Sequence, residues 1–308
     1  MKVLITGGAG YIGFSLVEAL SKRADVGEIV VFDSLVRRNY ALFTQGSFDK
    51  SRIRFVQGEL LDDRTLGKAL KSVDTVYHLA AKVSTPYADQ EAHSFDQVNH
   101  WGTAHLSRLA VEAGVSRFVH LSSASVYGSS TEIVNEHSVP NPASVYGVSK
   151  WRSEGQLERL HGKAGVFVIR AGNVYGFNPA FRIDAVINRF LFEARTSGRV
   201  TINGSGEQKR AFIHVAKLAE VLAGIIGSDL EPGVYNAVEH NLSIRELVGE
   251  IQKLVPDLEY LAVNQTMPMR NIRIETPCRL FNAIPLPQTE FSEELQEFLD
   301  RMGEFRAN

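Results

Sequence analysis

Short, nearly uninterrupted apolar runs alternate with stretches of helical periodicity through the first half of the chain. β-Branched and aromatic residues gather at 3–5, 28–32, 53–56, 75–77, 118–121 and 166–169. Runs of this kind carry apolar side chains on both faces, as parallel strands do when helices cover them. Between them, 12–22, 63–71, 98–113 and 148–161 space their apolar residues three and four apart, the pattern of a helix with a buried face. Strand and helix in alternation predict an α/β fold, a doubly wound parallel sheet with helices on both sides.

After Arg170 the rhythm loosens, and glycine, asparagine and proline cluster at 172–179. The pattern then predicts a helix over 185–196, a strand at 200–202, another at 212–214 and a helix over 215–227. A short strand follows at 234–236. Ser243 and Glu246 form a capping box that opens a helix towards 255. The tail is punctuated by proline and ends in a helix near 292–301. No repeat or linker divides the chain. The expected organisation is a first domain over 1–172, rejoined by about 211–240, and a smaller α/β lobe over 173–308.

Composition narrows the function classes. With 308 residues, 44% hydrophobic and 22% charged, the chain can bury a large core without staples. A net charge of −2 argues against a dedicated nucleic-acid or membrane-surface binder. The single cysteine, Cys278, excludes an intrachain disulfide and a zinc ribbon, which fits a reducing compartment. No apolar run approaches the roughly 20 residues that span a bilayer. Residues 1–7 read as a strand entering glycines rather than as a signal peptide. A cytoplasmic location is therefore expected. None of the nine histidines has metal-binding spacing with a supporting acid, and no metal is expected.

Gly8-Ala9-Gly10-Tyr11-Ile12-Gly13 matches a dinucleotide fingerprint, and Gly7, Gly10 and Gly13 also give a G-x-x-G-x-x-G spacing. The loop follows a strand and opens a helix. In that context glycines let the backbone approach a pyrophosphate, while the helix N-terminus offers free N–H groups. Asp33 closes the second strand 20 residues after Gly13. An acid there accepts hydrogen bonds from ribose hydroxyls and repels a 2′-phosphate, so the expected cofactor is NAD. Arg37 and Arg38, in the loop that follows, pull the other way.

Tyr146 and Lys150 lie four residues apart on a predicted helix, hence on one face. Upstream, Ser122 and Ser123 close a strand at its carboxyl end, where open α/β sheets bind ligands. A tyrosine acts as a base near neutrality only if its pKa falls by about 3 units, or about 4 kcal/mol. An ammonium about 4 Å away, at an effective dielectric near 20, supplies roughly that much. A serine hydroxyl from Ser123 can hold the substrate oxygen and relay its proton.

These motifs occur in order with Tyr77-His78-Leu79-Ala80-Ala81, Asn99 with Gly102-Thr103, Ser122 through Gly128, and Arg170 with Asn173-Val174-Tyr175-Gly176. Together they resemble the extended short-chain dehydrogenase/reductases, specifically the NAD-dependent epimerase/dehydratase family that acts on nucleotide sugars. The segment from Gly204 to Val215 is similar to that family's G-D-G-x-x-x-R-D-F-I-H-V stretch. The resemblance implies a Rossmann-type sheet with a substrate-binding lobe. It implies Ser123, Tyr146 and Lys150 as catalytic, Lys150 also holding the nicotinamide ribose. For the cofactor it implies Gly7, Gly10, Tyr11, Ile12, Gly13, Asp33, Glu59, Leu60, Ala80 and Ala81. For a nucleotide-diphosphate sugar it implies Ser84, Ser123, Asn173, Arg210 and Arg270.

The family's dehydratases carry Asp-Glu after the catalytic hydroxyl, and Ala124 and Ser125 stand here instead. The expected activity is therefore C4 epimerisation of a nucleotide sugar through a transient 4-keto sugar. A keto-sugar reductase or other NAD(P)-dependent dehydrogenase is the first alternative, and a non-catalytic dinucleotide sensor the second. Apolar residues on more than one face of the helices over 98–113 and 148–161 (Leu106, Leu109, Val111, Val148, Trp151 and Leu157) predict a partner for the surplus. Relatives pair these helices as a four-helix bundle, which implies a homodimer.

Overall fold

A computed structural model describes residues 1–46, 48–83, 91–264 and 270–304. The apolar runs become seven parallel strands of one sheet. Its order is Ile53–Gln57, Glu28–Asp33, Lys2–Thr6, Thr75–His78, Arg117–Ser123, Gly165–Ala171 and Gly233–Ala237. The order reverses beside Lys2–Thr6, whose neighbours are the second and fourth strands in sequence. This Rossmann-type switch opens a crevice at the carboxyl ends of the strands. The strand at 234–236 is the far edge of this sheet, pairing from Gly233 to Ala237 with Gly165–Ala171.

Both faces of the sheet are buried, which is why its strands read as continuous apolar runs. On one side the helix Tyr11–Ser21 packs against Val215–Gly224, joining Phe14, Leu20, Leu218 and Leu222. On the other, Leu66, Leu106, Leu109 and Leu160 close the layer. A third core joins the helices Val186–Thr196, Ile244–Leu254 and Phe291–Glu304 through Phe190, Leu247 and Phe298. The capping box is present, Ser243 accepting from the Glu246 N–H and Glu246 from the Ser243 N–H.

The helix predicted over 98–113 differs. Residues Asp96–Trp101 form a wider π-helical turn before the α-helix Gly102–Glu112. The wide turn aims Asn99 inward, where its amide bonds both backbone groups of Lys82 and the Ser149 hydroxyl. Leu106, Leu109 and Leu157 all pack into the chain's own core. The apolar surface left outside on these elements is chiefly Trp101 and Trp151.

The proline-punctuated tail returns to the sheet. Arg273–Ile274 pairs with Ile133–Val134, and Asn271 bonds Ser130 and Lys209. This stitching delivers Arg270 to the end of the strand Arg117–Ser123. The last helix is anchored by Glu294, which meets Tyr175 and the Lys217 ammonium. Glu239 and His240 lie beside Glu294, a grouping distant in sequence. Lys217 also pairs with Glu239, so a lysine already neutralises that cluster.

Candidate active site

The glycine loop sits at the switch point. Gly7 adopts φ +73°, and a Cβ there would meet the Ala80 backbone N at 2.6 Å. A Cβ on Gly13 would meet the Gly7 carbonyl oxygen at 2.3 Å. Only glycine permits this turn and this seating of the helix on the loop. The Asp33 carboxylate accepts from the backbone N–H groups of Ala9 (3.1 Å) and Leu35 (2.9 Å), so it is fixed at the mouth of the loop. Leu60 is buried beneath Gly102, while Glu59 is exposed at the turn after the third strand. Ala80 and Ala81 follow the strand Thr75–His78, and the Ala80 backbone lies against Gly7. This open, carboxylate-rimmed cradle suits a dinucleotide with a free ribose diol.

Tyr11 does more than line the loop. Its buried phenol donates to the Gly176 carbonyl at 2.6 Å, and its own carbonyl accepts from Asn178. The loop is thereby tied to the segment that follows Asn173–Tyr175.

Tyr146 and Lys150 share the helix Val145–Gly155, which Ser144 caps by accepting from the Gly147 N–H. Burial raises the Tyr146 phenol above its ordinary value. Arg182, a hydrogen bond with Ser123 and Arg270 oppose this, in that order. Sequence spacing points to Lys150 for this charge; two arginines from the second half of the chain, Arg182 and Arg270, also act on the phenol. Lys150 is itself depressed by burial to about 8, with Glu154 supporting the charged form. His78 and His120 lie beneath, ring centroids 5.1 Å apart. Burial, assisted by Lys150, lowers both histidines, so they are neutral. They are core residues, His78 bonded to Thr6 and Thr103, and His120 to Ser153.

Glu154 lies one turn after Lys150 and forms a two-armed pair with Arg170, both side chains about 95% buried. Ser122 donates to the same carboxylate, and Arg170 also reaches the Tyr127 hydroxyl at 3.0 Å. Behind Ser123, the Ser125 hydroxyl accepts from Arg270 and from Ser123. No carboxyl group stands at 124 or 125.

Asn173 and Arg210 occupy adjacent strands, Asn173–Tyr175 and Lys209–His214, and Asn173 donates to the Ala211 carbonyl at 2.9 Å. Burial lowers the Arg210 guanidinium. It also lowers Arg270, to about 10, with Arg210 adding like-charge repulsion. Among the described residues neither arginine meets a carboxylate. Two part-buried guanidinium groups without a carboxylate partner could hold an anion. Ser84 lies outside the described residues.

Sequence reasoning passed over Glu154 and Arg182, and gave Asn99 and Ser125 no part in binding or positioning. Glu154 carried a signal, its i, i+4 spacing from Lys150 on the same helix face. Arg182 carried none, since Arg182-Ile183-Asp184 reads as an ordinary polar loop.

A family model described as the NAD dependent epimerase/dehydratase family matches residues 3–237. A dTDP-D-glucose 4,6-dehydratase of Mus musculus is 30% identical over 265 residues, 83% of this chain and 73% of that protein. Among solved structures, MoeE5 in complex with UDP-glucuronic acid and NAD is 28% identical, with a TM-score of 0.83 covering 99% of this chain and 100% of that one. DesIV, a dTDP-glucose 4,6-dehydratase from Streptomyces venezuelae with NAD and TYD bound, is 27% identical. Its TM-score is 0.85, over 100% of this chain and 98% of that one.

Proposed function

The chain belongs to the NAD-dependent epimerase/dehydratase family, and from that premise we propose that it is a nucleotide-sugar 4-epimerase. One observation carries the choice. Ser123 acts on the Tyr146 phenol, yet the two positions after Ser123 offer no acid. Eliminating water from a sugar requires a group that protonates the departing hydroxyl. Ala124 has none, and the Ser125 hydroxyl is engaged by Arg270. Epimerisation needs only a base that takes a proton and gives it back.

In this reading Gly7, Gly10, Tyr11, Ile12 and Gly13 receive the NAD pyrophosphate, with Ala80 and Ala81 alongside. Asp33 takes the adenosine ribose, Glu59 and Leu60 border the adenine, and Lys150 takes the nicotinamide ribose. NAD, when bound, accepts hydride from C4 of the sugar and returns it. Tyr146 removes the proton of the C4 hydroxyl, directly or through Ser123. Arg210, Arg270 and Asn173 hold the diphosphate, so the 4-keto sugar turns about its bonds while its nucleotide end stays fixed. Tyr146 then gives the proton back. The division at 172/173 into cofactor and substrate lobes belongs to the same proposal.

The test is a panel of UDP-, GDP-, CDP- and dTDP-sugars incubated with NAD-loaded protein and followed by NMR and mass spectrometry. One sugar is expected to convert to its C4 epimer with unchanged mass. A product lighter by one water, or turnover only with added reduced cofactor, would contradict the reading.

Among the described residues no helix is long and apolar enough to cross a membrane, and the reading carries a cytoplasmic location with it. It also carries a homodimer. Trp101 and Trp151, 55% and 41% exposed, lie on the two helical segments expected to pair. Light scattering should give twice the single-chain mass; a monomer at micromolar concentration would rule this out.

A further inference from the structure

Ser125 lies two residues beyond Ser123 and is only 7% exposed. Its N–H donates to the Ser123 hydroxyl at 3.1 Å, and its carbonyl accepts from the Gly128 N–H at 3.2 Å. Its own hydroxyl accepts from Ser123 at 3.0 Å and from Arg270 Nη1 at 2.5 Å. The helix Val145–Gly155 presses on the same residue, since a Cβ on Gly147 would meet the Ser125 carbonyl oxygen at 2.7 Å. Arg270 arrives from the far end of the chain, and its neighbour fixes the backbone there. Asn271 donates its N–H to the Ser129 hydroxyl, and its carbonyl accepts from the Ser130 N–H. Its side-chain oxygen accepts from the Lys209 N–H. Beneath these bonds Ala124, Val126 and Tyr127 share one core with Ile272, Ile274 and Cys278. The serine turn and the tail are therefore packed as one body. Among the described residues the Arg270 guanidinium hydrogen-bonds to the Ser125 hydroxyl alone, and its Nε is buried without a partner. A guanidinium held at one nitrogen and unspent at another is set to receive an acceptor.

We propose that Ser125 is a positioning residue, its hydroxyl fixing Arg270 for the anionic end of the substrate from the same turn that carries Ser123. The proposal rests on the reading that Arg270 meets the diphosphate of a nucleotide sugar. A long side chain that is free in the unbound protein must be ordered when it binds, and that ordering costs affinity. The bond to Ser125 orders the arginine before any ligand arrives. Nη1 stays on the serine, while Nε remains for an oxygen of the diphosphate. Arg270 is thereby held two hydrogen bonds from the Ser123 hydroxyl. The separation between the diphosphate and the sugar carbon that meets Ser123 is then set by this turn. Alanine at 125 keeps the N–H bond to Ser123, the bond to Gly128 and the contact with Gly147, and removes the hydroxyl alone.

The test measures binding rather than turnover. UDP, dTDP, GDP and CDP are titrated by calorimetry into NAD-loaded protein, and the tightest of them serves as the probe. Ser125→Ala is expected to weaken it about three- to tenfold, the cost of ordering one long side chain, with NAD content unchanged. Arg270→Ala is expected to weaken it more, by about ten- to a hundredfold, as a charge-assisted contact is lost. The double variant decides. It should bind the probe no more weakly than Arg270→Ala does, because Ser125 acts on the ligand only through the arginine. A purely structural role for Ser125 would instead make the two losses multiply, and that result overturns the proposal. So does wild-type affinity in Ser125→Ala, or a loss of NAD from that variant. If none of the four nucleotides binds wild-type protein, the nucleotide-sugar reading itself fails and the proposal falls with it. If one binds, that reading stands whatever the double variant shows.

Discussion

Tyr146→Phe is expected to lower turnover by at least about a hundredfold while NAD remains bound. Removal of a general acid–base group costs about that much at the low end. The substitution keeps the ring, which packs edge-on against Phe95, so the helix Val145–Gly155 and Lys150 keep their places. What is lost is the hydroxyl that meets Ser123 and lies within reach of the Arg182 and Arg270 charges. Steady-state turnover of the best substrate, with cofactor content measured on the same sample, checks both halves. Activity within a few fold of wild type would mean that another group takes the proton.

Glu154→Gln is expected to be the most damaging single change to the fold behind the site. The Glu154–Arg170 pair is almost completely buried, and its carboxylate also accepts from Ser122. A neutral amide there leaves the Arg170 guanidinium without its counter-charge, and breaking a buried pair in this way costs about 3–5 kcal/mol. Lys150 adds a pH signature. Its folded value, about 8, lies below the ordinary 10.5, so its charge costs stability below about pH 8. That cost fades as pH rises towards 10.5. Without Glu154 the Lys150 value drops further, so the Lys150 part of the variant's deficit should be complete below that lowered value and fade as pH rises to about 8. Urea unfolding at several pH values measures this. A loss under about 1 kcal/mol, or one that does not vary with pH, would show that the pair and Lys150 are not coupled.

The contrast between what sequence revealed and what it concealed has a physical basis. Parallel strands buried on both faces must be apolar throughout, so the strands of the large sheet stood out, while the short Ile133–Val134, with Ile133 exposed, did not. Gly7 and Gly13 were legible because no side chain fits where the Ala80 backbone and the Gly7 carbonyl pass. The wide turn at Asp96–Trp101 was not, since it keeps helical spacing on either side and exists to aim one asparagine. The surplus apolar face of the two surface helices was only partly legible. Periodicity could not tell that Leu106, Leu109 and Leu157 are consumed by the chain's own core while the tryptophans remain outside. Charges acting on Tyr146 come from residues 36 and 124 positions away in the chain, and the tail reaches Ser125 by pairing with 129–134 and bonding Lys209 and Asn241. Contacts of that separation leave no local pattern.

The central claim is that hydride leaves C4 of the sugar and returns to the same carbon. A nucleotide sugar carrying deuterium at C4 tests it directly, with NAD-loaded protein, product isolation and deuterium NMR. The expected product is the C4 epimer with deuterium still at C4 and no water lost. Deuterium found at C6 of a dehydrated product, or lost to the cofactor pool, would contradict the account.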